Sequence, residues 1–124
     1  GLVLDREILK SIYARADLFI FPSLYDNAPL VLREAAAFRT PAVLAARSSA
    51  ATDTVDGRNA FHVEPTPEAL ARLIRELAAA PRRLREVGAS AQKEVFRSWS
   101  DIVEEVARRY NGLIDSRNNQ GKTT

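Results

Sequence analysis

The chain has 124 residues, 46% hydrophobic and 27% charged, enough for one domain with a core of its own. Its net charge of +2 is too small to argue for a nucleic-acid partner, and with no cysteine there is neither a disulfide framework nor a thiolate metal site. The apolar runs are far short of a membrane span and no basic-then-apolar leader opens the chain, so a cytoplasmic location is the default expectation.

Gly1 is not Met, and residues 1–9, GLVLDREIL, read as the end of a strand or loop running into a helix, so a piece of a longer chain is expected. Asp5 is a candidate N-cap, and Ile8, Leu9, Ile12 and Tyr13 recur at helical spacing up to about Ala16. Residues 18–21, LFIF, form a continuous apolar run between Asp17 and Pro22, the pattern of a parallel strand buried on both faces. Pro29 suits the first position of a helix, whose missing N–H is not needed there; that helix extends to about Phe38.

Pro41 precedes a second buried strand, AVLA, and a small polar loop closes at Asp56-Gly57 before a third strand candidate, AFHV. Thr66, Pro67 and Glu68 start a helix whose apolar stripe is Leu70, Leu73, Ile74 and Leu77. Pro81 starts another, with Leu84, Val87, Ala91 and Val95 inward, and Ser100 is read as the cap of a last helix carrying Ile102, Val103, Val106, Tyr110 and Leu113. Residues 116–124, SRNNQGKTT, have almost no apolar content and are expected to be a disordered tail behind a domain of residues 1–115. The order predicts an α/β fold: a partial Rossmann-like parallel sheet of short strands flanked by helices, with helices at the C-terminus.

Sheets of that kind bind ligands at the carboxyl ends of their strands. The stretch from Phe21 to Ala37, FPSLYDNAPLVLREAAA, leaves such an end and enters a helix. The first turn of that helix offers free N–H groups and the positive end of a dipole, an anion site, with Ala28, Leu30 and Val31 as backbone donors. Helical side chains lean toward the N-terminus, so Glu34 reaches toward the same rim, where a carboxylate accepts hydrogen bonds from a diol such as a ribose. Asp26 offers a second acceptor in the loop. The residues alone leave other readings open: Asp26 as a turn residue or helix cap, Glu34 as a solvent-facing or arginine-paired charge. His62, the single histidine, reads as structural or surface-exposed, and the arginine-rich later helices read as solvated faces.

This stretch resembles the signature of retaining family 4 glycosyltransferases, enzymes of the two-domain GT-B fold. Asp26 and Glu34 stand at its two acidic positions with seven residues between, and Pro22, Ser23, Ala35 and Ala37 fit its frame. Thr40-Pro41, Val55-Asp56-Gly57-Arg58-Asn59, Ser98-Trp99-Ser100 and the lead-in Tyr13-Ala14 with Ala16-Asp17 are also similar to family motifs, a span from about Leu4 to Leu113. The resemblance implies the second half of the C-terminal, donor-binding domain. Glu34 would hold the nucleotide ribose, the backbone of Ala28, Leu30 and Val31 the diphosphate, and Asp26, as the catalytic acid, the donor sugar. The parent would transfer a hexosyl-type sugar from a nucleoside-diphosphate donor to an acceptor hydroxyl with retention. It would need no metal or cofactor beyond that donor.

Further expectations follow from the resemblance. The N-terminal acceptor domain is the missing partner, the isolated fragment is inactive, and a peripheral contact at the inner face of a membrane would suit some family members. Asp replaces the usual first Glu, and Arg39, Thr52 and Ala60 stand where the family has Gly, often Glu, and Gly. These departures keep two other readings alive: a non-catalytic α/β remnant serving as an interaction domain, and a partner-binding module built on the last three helices.

Overall fold

The structure, a computed structural model, describes residues 5–25 and 30–120. Helix α1 is Arg6–Arg15, started as expected by Asp5, whose side chain accepts from the N–H groups of Glu7 (2.8 Å) and Ile8 (3.2 Å). Of its stripe only Tyr13 is buried, while Ile8 and Ile12 are about half exposed.

Three parallel strands follow: β1 Phe19–Phe21, β2 Ala42–Ala45 and β3 Phe61–Val63, side by side in that order. Ile20 pairs with Val43, and Leu44 with His62, so β2 lies in the middle and all four of its residues are buried. The expectation that residues 18–21 form a strand covered on both faces is corrected: β1 has one strand neighbour among the described residues, and Ile20 is 40% exposed.

Because side chains alternate along β2, its two faces serve two cores. Ala42 and Leu44 pack with Leu32 of helix α2 (Leu30–Ala37) and with Ala50, Ala51 and Ala60. Val43 packs with Phe61 on the other face, against Leu77 of helix α3 (Pro67–Ala78) and Val87 of helix α4 (Pro81–Glu94). Thr66 caps α3 by accepting from the Ala69 N–H at 3.2 Å.

Helix α2 ends in a tight closing turn. The Thr40 N–H donates to Ala35 O and the Arg39 N–H to Ala36 O, both at 3.0 Å, a Schellman motif with Arg39 at φ 57°. That is the left-handed conformation a glycine would adopt without strain. Ala60 is fully buried, and the positive-φ residues among those described are Arg39, Arg47 and Gly57, so the second missing glycine costs no backbone strain. Gly88 of α4 sits against this turn, where a Cβ would lie 2.1 Å from Arg39 O.

The last helix, α5, is Trp99–Gln120. Its cap is Ser98 rather than Ser100: the Ser98 hydroxyl accepts from the Asp101 N–H (3.2 Å), and the Asp101 carboxylate accepts from the Ser98 N–H (3.0 Å). Of the expected disordered tail, residues 116–120 continue the helix, and 121–124 lie outside the described residues. The apolar stripe of α5 is largely uncovered, with Val103, Tyr110 and Leu113 more than 60% exposed. No helix among the described residues is long and apolar enough to cross a membrane.

Candidate functional site

Strands β1, β2 and β3 end on one edge of the sheet, at Phe21, Ala45 and Val63. Helix α2 begins at Leu30 and runs back toward the opposite edge, so Leu30 and Val31 provide the first-turn N–H groups that have no acceptor inside their own helix. Leu30 is 59% exposed and Val31 half-buried, which leaves this turn accessible. Asp26 and Ala28, with Pro29, lie outside the described residues.

Glu34 is half-buried, one turn into α2. Its Oε2 accepts a hydrogen bond at 3.2 Å from the phenol of Tyr13, a residue of α1. The carboxylate thus has a phenol as its partner, and among the described residues it forms no ion pair with an arginine. Burial first, and then the Glu34 charge and hydrogen bond, hold the Tyr13 phenol above its ordinary pKa, so it stays protonated as a donor.

Glu34 and Tyr13 line a cleft of about 570 Å³ between α1, α2 and the start of α5. Four cations, Arg6, Lys10, Arg33 and Arg97, line the same cleft, and Glu34 is the single acidic residue among the described residues that line it. Lys10 pairs with Glu7 (2.8 Å) and Arg97 with Glu105; Arg6 and Arg33 form no ion pair among the described residues. Phe38 and Phe96 supply aromatic surface. A concave site with one carboxylate, several cations and aromatic walls matches a ligand that is at once planar, hydroxylated and anionic. Among the described residues no group of three or more His, Cys, Asp or Glu is arranged to hold a metal ion.

The loop after β2 is built for structure. Gly57 takes φ 75°, and its N–H donates to Ala60 O at 2.8 Å. Asn59 accepts from the Val55 N–H and donates to Glu94 of α4, both at 2.7 Å, while Arg58 makes two bonds to the same carboxylate. These contacts tie the segment just before β3 to the C-terminal end of α4. Thr52 bonds only weakly to Ser48 O (3.4 Å), and His62 Nε2 is 2.7 Å from the Thr54 hydroxyl, a structural role for the single histidine.

Tyr13 and the cleft cations are the site residues that the sequence reading does not single out. A signal exists for Tyr13: a phenol in an otherwise aliphatic inward stripe needs a polar partner when buried. Nothing local marks Arg6, Lys10, Arg33 and Arg97 as neighbours, because they come from α1, α2 and the segment between α4 and α5.

Residues 3–94 match the sequence model of the family described as Glycosyl transferases group 1. The chain is 30% identical over 99 residues to a GDP-mannose-dependent alpha-(1-6)-phosphatidylinositol dimannoside mannosyltransferase of Mycobacterium tuberculosis, covering 80% of this chain and 26% of that one. Among solved structures it is similar to sucrose-phosphate synthase from Thermosynechococcus elongatus, with TM-score 0.77 and 26% identity over 91% of this chain and 29% of that one. A likeness of fold alone is found with the C-terminal domain of a glycosyl transferase group 1 family protein from Francisella tularensis, with TM-score 0.68 and 20% identity over 77% of this chain and 49% of that one. The chain thus spans about a quarter of the length of the curated relative it matches.

Proposed function

The chain belongs to the group 1 glycosyl transferases and forms part of a GT-B domain, and from that premise we propose that it is the donor-binding part of a longer transferase that moves a hexosyl group from a nucleoside-diphosphate sugar to an acceptor hydroxyl with retention at the anomeric carbon. The observation that carries this reading is Glu34 in its cleft, a carboxylate held by Tyr13 with cations and aromatic rings around it. The carboxylate accepts from ribose hydroxyls. The aromatic walls take the base. The first turn of α2, with the N–H groups of Leu30 and Val31, takes the diphosphate, and the adjacent cations offset its charge as the sugar departs. Asp26 acts on the sugar, where positive charge develops as the glycosidic bond breaks. In this reading the reaction uses no cofactor, the nucleoside-diphosphate sugar being a substrate.

The mannosyltransferase relative is named as GDP-mannose-dependent, which makes GDP the first nucleotide to try. The chain covers about a quarter of that relative, so the acceptor site belongs to the rest of the parent, and the isolated 124 residues turn over no donor. A cytoplasmic parent that touches the inner face of a membrane would fit an acceptor carried by a lipid.

The test is calorimetry with GDP and UDP beside donor kinetics, on the full parent chain. Glu34→Gln removes a charged acceptor used equally in ground and transition states, so nucleotide affinity and donor KM should worsen by about ten- to a hundredfold. Asp26→Asn should lower kcat more than it weakens nucleotide binding. Equal losses of affinity with kcat preserved would show that the two roles are wrongly assigned. A parent that binds neither nucleotide would leave a non-catalytic interaction domain as the better reading.

A further inference from the structure

Tyr13 is held at three points. Its ring lies between Phe19 (centroids 6.0 Å apart, tilted 58°) and Phe38 (6.1 Å, stacked at 8°), and it is 8% exposed. Its backbone carbonyl accepts from the buried Thr40 hydroxyl at 2.7 Å. Thr40 in turn belongs to the turn that closes α2, so the clamp on Tyr13 and the end of the helix carrying Glu34 are one unit. The third point is the phenol, which donates to Glu34 Oε2. A glutamate side chain on a helix has several rotatable bonds and ordinarily samples several rotamers. Here one of its oxygens accepts from a phenol whose ring is stacked on Phe38 and packed at a tilt against Phe19.

We propose that Tyr13 is the positioning residue of the donor site: its phenol holds one oxygen of Glu34 so that the other is presented to the two ribose hydroxyls of a nucleoside diphosphate in the α1–α2–α5 cleft. This rests on the nucleotide reading of Glu34. The phenol keeps its proton throughout the neutral range, because burial and the facing carboxylate both oppose its ionisation. Its Oη–H therefore always points a donor at Oε2, and the carboxylate need not be ordered anew when ribose arrives. Tyr13 touches neither donor sugar nor acceptor in this arrangement; it acts through Glu34.

A tyrosine that merely satisfied its own buried hydroxyl would have the same hydrogen bond, so the experiment must read the ribose. The parent chain and its Tyr13→Phe, Glu34→Gln and double variants are titrated with GDP and with 2′-deoxy-GDP. Tyr13→Phe keeps the ring and its stacking, and circular dichroism is used to check that it folds. Loss of one ordering hydrogen bond should weaken GDP about fivefold and 2′-deoxy-GDP much less, so that preference for the ribonucleotide shrinks. In the Glu34→Gln background the same change should do almost nothing. Equal weakening of both nucleotides by Tyr13→Phe, or additive effects in the double variant, would overturn the positioning role while leaving Glu34 in place. If Glu34→Gln alone leaves GDP affinity and ribose preference unchanged, the nucleotide reading of Glu34 fails, and the positioning role fails with it.

Discussion

Gly88→Ala adds one methyl group in the middle of α4, a change that helix propensity alone would favour by about 1 kcal/mol. The structure reverses the sign. A Cβ at position 88 would lie 2.1 Å from Arg39 O, 3.0 Å from Arg39 C and 3.4 Å from Pro41 Cδ. The obstructing atoms are backbone, so no rotamer change relieves the clash, and α4 must retreat by about 1 Å. Arg39 cannot easily give way. Its N–H is tied into the closing turn of α2, and its side chain donates to Gln92 of α4 at 2.7 Å. Retreat of α4 would loosen Val87 and Ala91, both nearly fully buried, from the sheet.

Overpacking typically costs about 1–3 kcal/mol, and a backbone partner puts this site at the top of that range. After the propensity gain, a net loss of about 2 kcal/mol remains. For a chain of this length that lowers Tm by about 8 °C, measurable by thermal melting in far-UV circular dichroism. Gly112→Ala in α5 is the control, since a Cβ there meets nothing within 4 Å, and it should hold or raise Tm. If Gly88→Ala melts no lower than the unmutated chain, α4 does not pack against the Arg39 turn as described.

Arg39→Gly should be slightly stabilising: it relieves about 1 kcal/mol of left-handed strain against the loss of an exposed bond to Gln92 worth about 0.5–1 kcal/mol, so Tm rises by at most a few degrees. A clear fall in Tm would mean that the bond outweighs the strain. Glu94 is held below the ordinary glutamate pKa, first by its hydrogen bond to Arg58 and then by that to Asn59. A depressed folded-state pKa gives stability that is present above the unfolded value and is lost as pH falls through the folded one. The Tm advantage of the unmutated chain over Glu94→Gln should therefore shrink between about pH 6 and pH 3. A gap unchanged over that range would show that the ion pair does not contribute.

Much of the fold is written locally. Caps at Asp5 and Thr66, prolines at the starts of α3 and α4, and the apolar runs of the strands all act within a few residues, where hydrogen bonding and periodicity depend only on neighbours in the chain. The left-handed turn at residue 39 was signalled only by the resemblance, in which Arg39 replaces a glycine. Glu34 stood out as a lone carboxylate on an apolar helix. Its partner did not: Tyr13 lies 21 residues away on another helix, and only the docking of α1 against α2 brings the two together. The same holds for Gly88, the place where α4 meets the backbone after α2, which its sequence neighbours do not mark. It holds again for Arg6, Lys10, Arg33 and Arg97, gathered from two helices and a connecting segment around one cleft. Local pattern determined which segments are helix or strand and which face of each is apolar. How closely those segments approach, and so which polar groups meet, was decided by packing across the sheet, because such contacts depend on the relative placement of elements that no short stretch of sequence encodes.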